Sequence, residues 1–241
     1  MLPGERWGGT LVVAAAGLML IAVVLVFAVA PDPVNLTSDV ERYAQRIFYF
    51  HVPNWWVGFL AYLVAAVAGV LYLTQGHERW DIVELASVEI GLTFTTIGLI
   101  SGSIWAKPTW NTWWTWEPRL TTAAIGWLMY VGYLMLRSAI DHPERRARFS
   151  AVFSIIAFLS VPITFLAIRW WRTIHPVVIG GSSDFGSGGF ALGPTISLVF
   201  FYCLFAFTVL YIALLILRAR SEWLVRRVQQ LRQDTLYRYR S

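Results

Sequence analysis

Five tryptophans fall within the twelve residues from Trp105 to Trp116, in the segment WAKPTWNTWWTWEPR. An indole is a large flat ring with one N–H donor, so several in a short segment form a platform suited to a flat apolar ligand. Two of the four histidines stand in matching surroundings: His51 in IFYFHVPNWW and His175 in RWWRTIHPVVIG. Each sits among aromatics and is closely followed by a proline that restricts the local backbone. Neutral imidazole is a good ligand for haem iron, and two imidazoles on opposite faces of the porphyrin complete six-coordination. Trp110, Trp113, Trp114 and Glu117 follow the spacing i, i+3, i+4, i+7, which predicts a short interfacial helix with indoles and a carboxylate on one face. Trp105 and Trp116 then lie off that face, anchoring the segment at headgroup depth. Haem propionates need cations or water. Arg119 beside the platform and Arg172 beside His175 are suited to bidentate carboxylate pairing.

Each of these residues also has a bland reading. A boundary histidine is ordinarily a hydrogen-bonded interfacial residue, arginines anchor helix ends, and tryptophans form belts at both interfaces of membrane proteins. A belt, however, spreads its rings. Nine of the 13 tryptophans fall in or beside the segments carrying His51, the platform and His175, against only Trp7, Trp80 and Trp223 at the opposite boundary. His77 (QGHERWD) and His142 (IDHPERR) lie in charged segments and read as solvated.

The elements that position these groups follow from composition. With 57% hydrophobic and 14% charged residues, the chain reads as an all-α integral membrane protein. Apolar windows at residues 10–30, 55–73, 82–104, 120–136, 149–168 and 192–217 predict six transmembrane helices in a single domain over 1–241. Ala28-Val29-Ala30 resembles a signal-peptide cleavage site, but the long apolar run and the lone Arg6 before it favour a span. Lys and Arg number four in the loop 137–148 and seven after Leu217, against two in each loop of the other side. By the positive-inside rule both termini are cytoplasmic, and residues 31–54, the tryptophan loop 105–119 and residues 169–191 are periplasmic in a bacterium. The net charge of +5 then belongs to a basic cytoplasmic tail, 218–241, that can rest on anionic headgroups of the bilayer, so no nucleic acid is needed to explain it. The single cysteine, Cys203, reads as a buried hydrophobe and offers no disulfide or CxxC chemistry. The stretch 180–189 reads as a mobile Gly/Ser-rich outer loop, and lacking a Lys it is no Walker motif. Glu89, inside the third span, is a candidate for function or partner contact, and Gly91, Gly98 and Gly102 suggest close helix packing.

The stretch GSIWAKPTWNTWWTWEPRLTT resembles the tryptophan-rich motif of haem-handling membrane proteins. The chain's size, its six spans, the FHVP histidine and the RWWRTIHP histidine resemble the CcmC family of cytochrome c biogenesis. The resemblance implies that His51 and His175 are axial ligands of haem iron and that Trp110, Trp113, Trp114 and Trp116 cradle the porphyrin. It also implies delivery of haem b at the periplasmic face of the inner membrane to a membrane-anchored periplasmic haem chaperone, alongside the membrane and ATPase subunits of an ABC-type complex. That motif usually has Gly after its first Trp and Asp at its end, where this chain has Asn111 and Glu117. The longer haem-lyase relatives have more spans than 241 residues allow. The chain carries no nucleotide loop, paired carboxylates or activated nucleophile, so it reads as a carrier and not an enzyme. Without a CxxCH motif the haem is expected to be non-covalent. Two alternatives remain: a b-type electron-transfer cytochrome, which would place its histidines within spans, and a secondary transporter, which needs polar groups at mid-membrane.

Overall fold

The computed structural model describes residues 7–32, 38–175 and 193–240. Every regular element among them is a helix: α1 (Trp7–Val24, continued by a π-helical turn, Leu25–Val29), α2 (Asp39–Gln45), α3 (Phe48–Gln75), α4 (Glu78–Trp110), α5 (Pro118–Ser138), α6 (Pro143–Phe158), α7 (Ser160–Trp170) and α8 (Pro194–Arg240). The Gly/Ser-rich stretch 180–189 lies outside the described residues.

Five stretches are long and apolar enough to cross a bilayer: Gly8–Val29, Asp39–Gln75, Glu78–Trp110, Pro143–Trp170 and Pro194–Leu236. The window 120–136 is not among them, because α5 carries Arg119, Thr121, Thr122, Arg137 and Ser138, which dilute its apolar character. It is nonetheless 21 residues long, about 31 Å at 1.5 Å per residue, close to the ~30 Å hydrocarbon thickness of a bilayer.

Local signals set the helix ends. Gly76 ends α3 at φ 68°, a left-handed cap that costs glycine little. Pro118 and Pro143 start α5 and α6 at the first turn, where a missing N–H is harmless. His77 and His142 occupy the N-cap positions of α4 and α6 and are exposed, in keeping with a solvated reading. Between α6 and α7 the helix breaks at Leu159, three residues before Pro162, whose ring cannot donate to the preceding turn.

The tightest packing is between antiparallel α3 and α4, where glycines admit large side chains. A Cβ at Gly91 would lie 2.7 Å from the Tyr62 ring, and one at Gly98 would lie 2.8 Å from Trp55 Nε1. At the other end of α4, Arg137 of α5 makes a buried two-pronged pair with Asp81 at 2.7 and 2.9 Å. Arg226 of α8 reaches the same carboxylate at 2.7 Å. Glu89 is paired as well, with Arg218 at 2.6 Å. Residues from 218 onward continue α8 without a break to Arg240, and Arg218 and Arg226 pair with carboxylates of α4. Since Arg119 lies at one end of α5 and the Asp81 partner Arg137 at the other, α5 runs the height of the bundle antiparallel to α4.

Candidate functional site

At the Trp110 end of α4 a cleft of about 550 Å³, counted to its open mouth, is walled by α3, α4, α5 and α7. α3 contributes His51, Trp55 and Phe59, which share one helix face at i, i+4, i+8. His51 was expected in a loop before a span starting at Trp55. Instead α3 begins at Phe48, the His51 N–H donates to Ile47 O at 2.7 Å, and Pro53 lies inside the helix. The wall is therefore mostly helical and not a set of loops.

The His51 ring is held from two sides by α4. Its Nδ1 lies 3.1 Å from Ser101 Oγ. Gly102 makes room for it, since a Cβ there would stand 2.8 Å from His51 Cε1. With Nδ1 engaged, Nε2 is the nitrogen left for a ligand, an arrangement typical of metal-binding histidines.

The tryptophan segment departs from its expected conformation. α4 continues to Trp110 and stops there, because Asn111 turns into the left-handed region at φ 54° and ψ 20°. Residues 111–113 then bend, and 114–117 have no regular structure before α5. No helix carries Trp110, Trp113, Trp114 and Glu117 on one face. The cleft still gathers Trp105, Trp110, Trp113 and Trp114, the first two as an edge-to-face pair with centroids 5.1 Å apart. Asparagine is the non-glycine residue best suited to this turn, and the Lys107 ammonium lies 3.3 Å from its carbonyl oxygen, so the replacement of the motif's usual glycine is accommodated.

His175 joins the cleft from the segment after α7, with its ring centroid 6.1 Å from that of Trp110 at an interplanar angle of 67°. Arg119 lines the cleft from the first turn of α5, its Nη1 3.4 Å from Thr164 O, which leaves guanidinium donors for an anionic group. Trp114 Nε1 is buried without a protein partner, a donor available to a ligand or water oxygen. Trp116, Glu117 and Arg172 are not in the wall. Trp116 is 78% exposed, edge-on to Trp114, and Arg172 is exposed after the end of α7. Glu117 caps α5 by accepting from Leu120 N–H at 3.2 Å. Its other oxygen accepts from Thr173, whose hydroxyl in turn accepts from His175 N–H at 3.0 Å. Glu117 thus fastens the His175 segment to the tryptophan loop. Half-burial pushes its carboxyl above the usual glutamate range, against the opposing bonds from Leu120 and Arg119 N–H and the charge of Arg119.

Phe59 and Thr164 carried no sequence signal of their own. The spacing of Trp55 from His51 and of Gly98 from Gly102, four residues each, is the pattern that could have found the α3–α4 wall.

This architecture defines a multi-pass helical membrane protein with an aromatic cleft at one end of the bundle carrying two imidazoles. The chain belongs to the CcmC, or Heme exporter protein C, family, whose model matches residues 4–234. It is 34% identical over 219 residues to Heme exporter protein C of Bradyrhizobium diazoefficiens, covering 90% of this chain and 80% of that protein. Its identity to Heme exporter protein C of Haemophilus influenzae is 32% over 210 residues, covering 86% and 81%. With the Escherichia coli protein of the same name it shares 35% identity over 134 residues, covering 55% and 54%.

Proposed function

We propose that this protein binds haem b non-covalently in the tryptophan-lined cleft, with His51 and His175 as axial ligands, and hands it to a membrane-anchored periplasmic haem chaperone for cytochrome c maturation. The observation that carries this reading is the convergence of two imidazoles and five indoles on one cleft. Among the described residues no group of three or more His, Cys, Asp or Glu could hold a bare metal ion. A metal taking only two protein ligands must bring the rest itself, which porphyrin does for iron. Trp105, Trp110, Trp113 and Trp114 suit the porphyrin face and Arg119 a propionate. The open mouth leaves an edge for the partner, with exposed Trp113 and Trp116 beside it. Trp116, Glu117 and Arg172 act in this reading from the rim and not from the wall.

In this account α5 is the sixth crossing, so both termini are cytoplasmic and the cleft opens to the periplasm of the bacterial inner membrane. ABC-type membrane and ATPase subunits would supply any energy from nucleotide hydrolysis. The test is to purify the protein with haem and record its spectrum. His51→Ala and His175→Ala should each shift or abolish a low-spin Soret band, whereas His77→Ala and His142→Ala should leave it unchanged. Retention of that band in both cleft variants would sink the ligation. A b-type electron-transfer cytochrome is the second reading, favoured by the position of His51 within α3. Haem that stays on the protein when excess apo-chaperone is added would support that reading over delivery.

A further inference from the structure

At the end of the bundle away from the cleft, Glu84 of α4 is wholly buried at 0% exposure. One turn before it, Asp81 takes the guanidinium groups of both Arg137 and Arg226. Glu84 takes neither. Among the described residues it makes no ion pair, and neither of its carboxyl oxygens has a hydrogen-bond partner. Tyr133 of α5 and Ser154 of α6 face the carboxyl within interaction range, their hydroxyls short of regular hydrogen-bond geometry. Tyr133 Oη, Tyr130 Oη one turn along α5, and Ser150 Oγ one turn from Ser154 on α6 are themselves fully buried and unpartnered. Three helices thus bring a carboxyl together with the hydroxyls of Tyr130, Tyr133 and Ser154, and neither the carboxyl nor the two tyrosines complete a regular hydrogen bond.

Such a cluster is costly unless something completes it. A buried hydroxyl without a partner costs about 1–3 kcal/mol, and an isolated buried carboxylate costs far more. Dry polar clusters are rare in folded proteins, and the usual occupant is water making two to four bonds. An ionisable side chain inside a membrane bundle is also a functional candidate by default. We propose that Glu84 is a proton-carrying group in a hydrated site, with water bridging its neutral carboxyl to the hydroxyls of Tyr130 and Tyr133. The neutral form follows from the geometry: the carboxyl is wholly enclosed, and the neighbouring guanidinium groups are committed to Asp81. The site is separate from the tryptophan cleft, so it stands or falls independently of haem binding. A column of rings rises from it: Tyr62 stacks on Tyr130 with centroids 3.4 Å apart, and its hydroxyl meets Thr95 Oγ1 at 2.9 Å.

Infrared spectroscopy of the full-length protein in lipid nanodiscs at neutral pH tests this directly. The wild type should show a protonated-carboxyl C=O band that Glu84→Gln lacks, that shifts down in D₂O, and that moves up in Tyr133→Phe as a hydrogen bond to the carbonyl is lost. If Glu84→Gln does not fold, carboxyl-¹³C glutamate in the unsubstituted chain, compared with Glu84→Asp, assigns the same band. Absence of any band attributable to Glu84 would mean an ionised carboxylate and overturn the proposal. A band indifferent to D₂O would mean a dry, sealed carboxyl and overturn it equally, and a band unmoved in Tyr133→Phe would remove that tyrosine from the site.

Discussion

At His51 the imidazole is fixed by one hydrogen bond and one absence. Ser101 Oγ at 3.1 Å orients Nδ1, and the missing Cβ of Gly102 gives the ring its space. Removal of an outer-shell partner of a metal-binding histidine typically costs 10–100-fold in affinity. Ser101→Ala should therefore weaken haem binding by about 10–100-fold in a spectroscopic titration, with the band position nearly kept. Gly102→Ala should do worse. Its methyl group would stand 2.8 Å from His51 Cε1, a distance real Cβ atoms do not show, so the ring must move and the low-spin spectrum should be lost. An unchanged spectrum in Gly102→Ala would mean that His51 does not bind iron in this rotamer. Glu117 behaves as a titrating latch. Its carboxyl is raised by burial, so its contribution to stability is full below the ordinary glutamate value of about 4.3 and is lost as pH rises through the folded-state value. Glu117→Gln keeps one acceptor oxygen for Leu120 N–H, sets an NH₂ donor against Thr173 Oγ1, and does not titrate. The unfolding midpoint of the wild type relative to Glu117→Gln should fall as pH climbs above about 4.3, and a difference independent of pH would dismiss the latch as a titrating group.

Among the elements, α4 is the organiser. One of its ends supplies the cleft with Gly102, Trp105 and Trp110 and orients His51 through Ser101, and the other is locked to α5 and α8 through Asp81. Side chains in the Asp81–Arg137 pair are 4% and 7% exposed, so removing Arg137 leaves a buried carboxylate with Arg226 as its one remaining cation among the described residues. Arg137→Ala should destabilise the protein by about 3–5 kcal/mol in detergent thermal or chemical unfolding. The pair Arg42–Asp39 is 40% and 85% exposed, and Arg42→Ala should cost no more than about 1 kcal/mol. Equal losses from the two would mean that the Asp81 cluster is solvated in the membrane.

For the molecule as a whole, topology is the quantity to measure. Cys203, the single cysteine, is fully buried, so the wild-type chain is already a silent background for thiol labelling. Trp116→Cys, at a residue 78% exposed beside the cleft, should react with a membrane-impermeant maleimide in intact spheroplasts. Asp141→Cys, in the exposed turn before α6, should react only after permeabilisation. Labelling of both in intact cells would place the two turns on one side and deny α5 its crossing.

The sequence by itself determined the solvent and the chemistry. Its apolar composition demanded helices in a bilayer, and two histidines flanked by aromatics, with tryptophans gathered toward one boundary, named the groups that meet in the cleft. It did not determine which faces those groups occupy. In a soluble helix the apolar stripe marks the core, but here lipid and core are both apolar, so periodicity carries little information about facing. The i, i+3, i+4, i+7 pattern of the tryptophan segment was therefore misleading: Asn111 ends α4 at Trp110, and Trp105 enters the cleft while Glu117 leaves it to hold the His175 segment. What placed His51 inside a helical wall, and left Glu84 without a cation one turn from a carboxylate that has two, was long-range packing of glycine against aromatic rings and arginine against carboxylate. Those contacts join residues tens of positions apart, and only the tertiary structure brings them within reach.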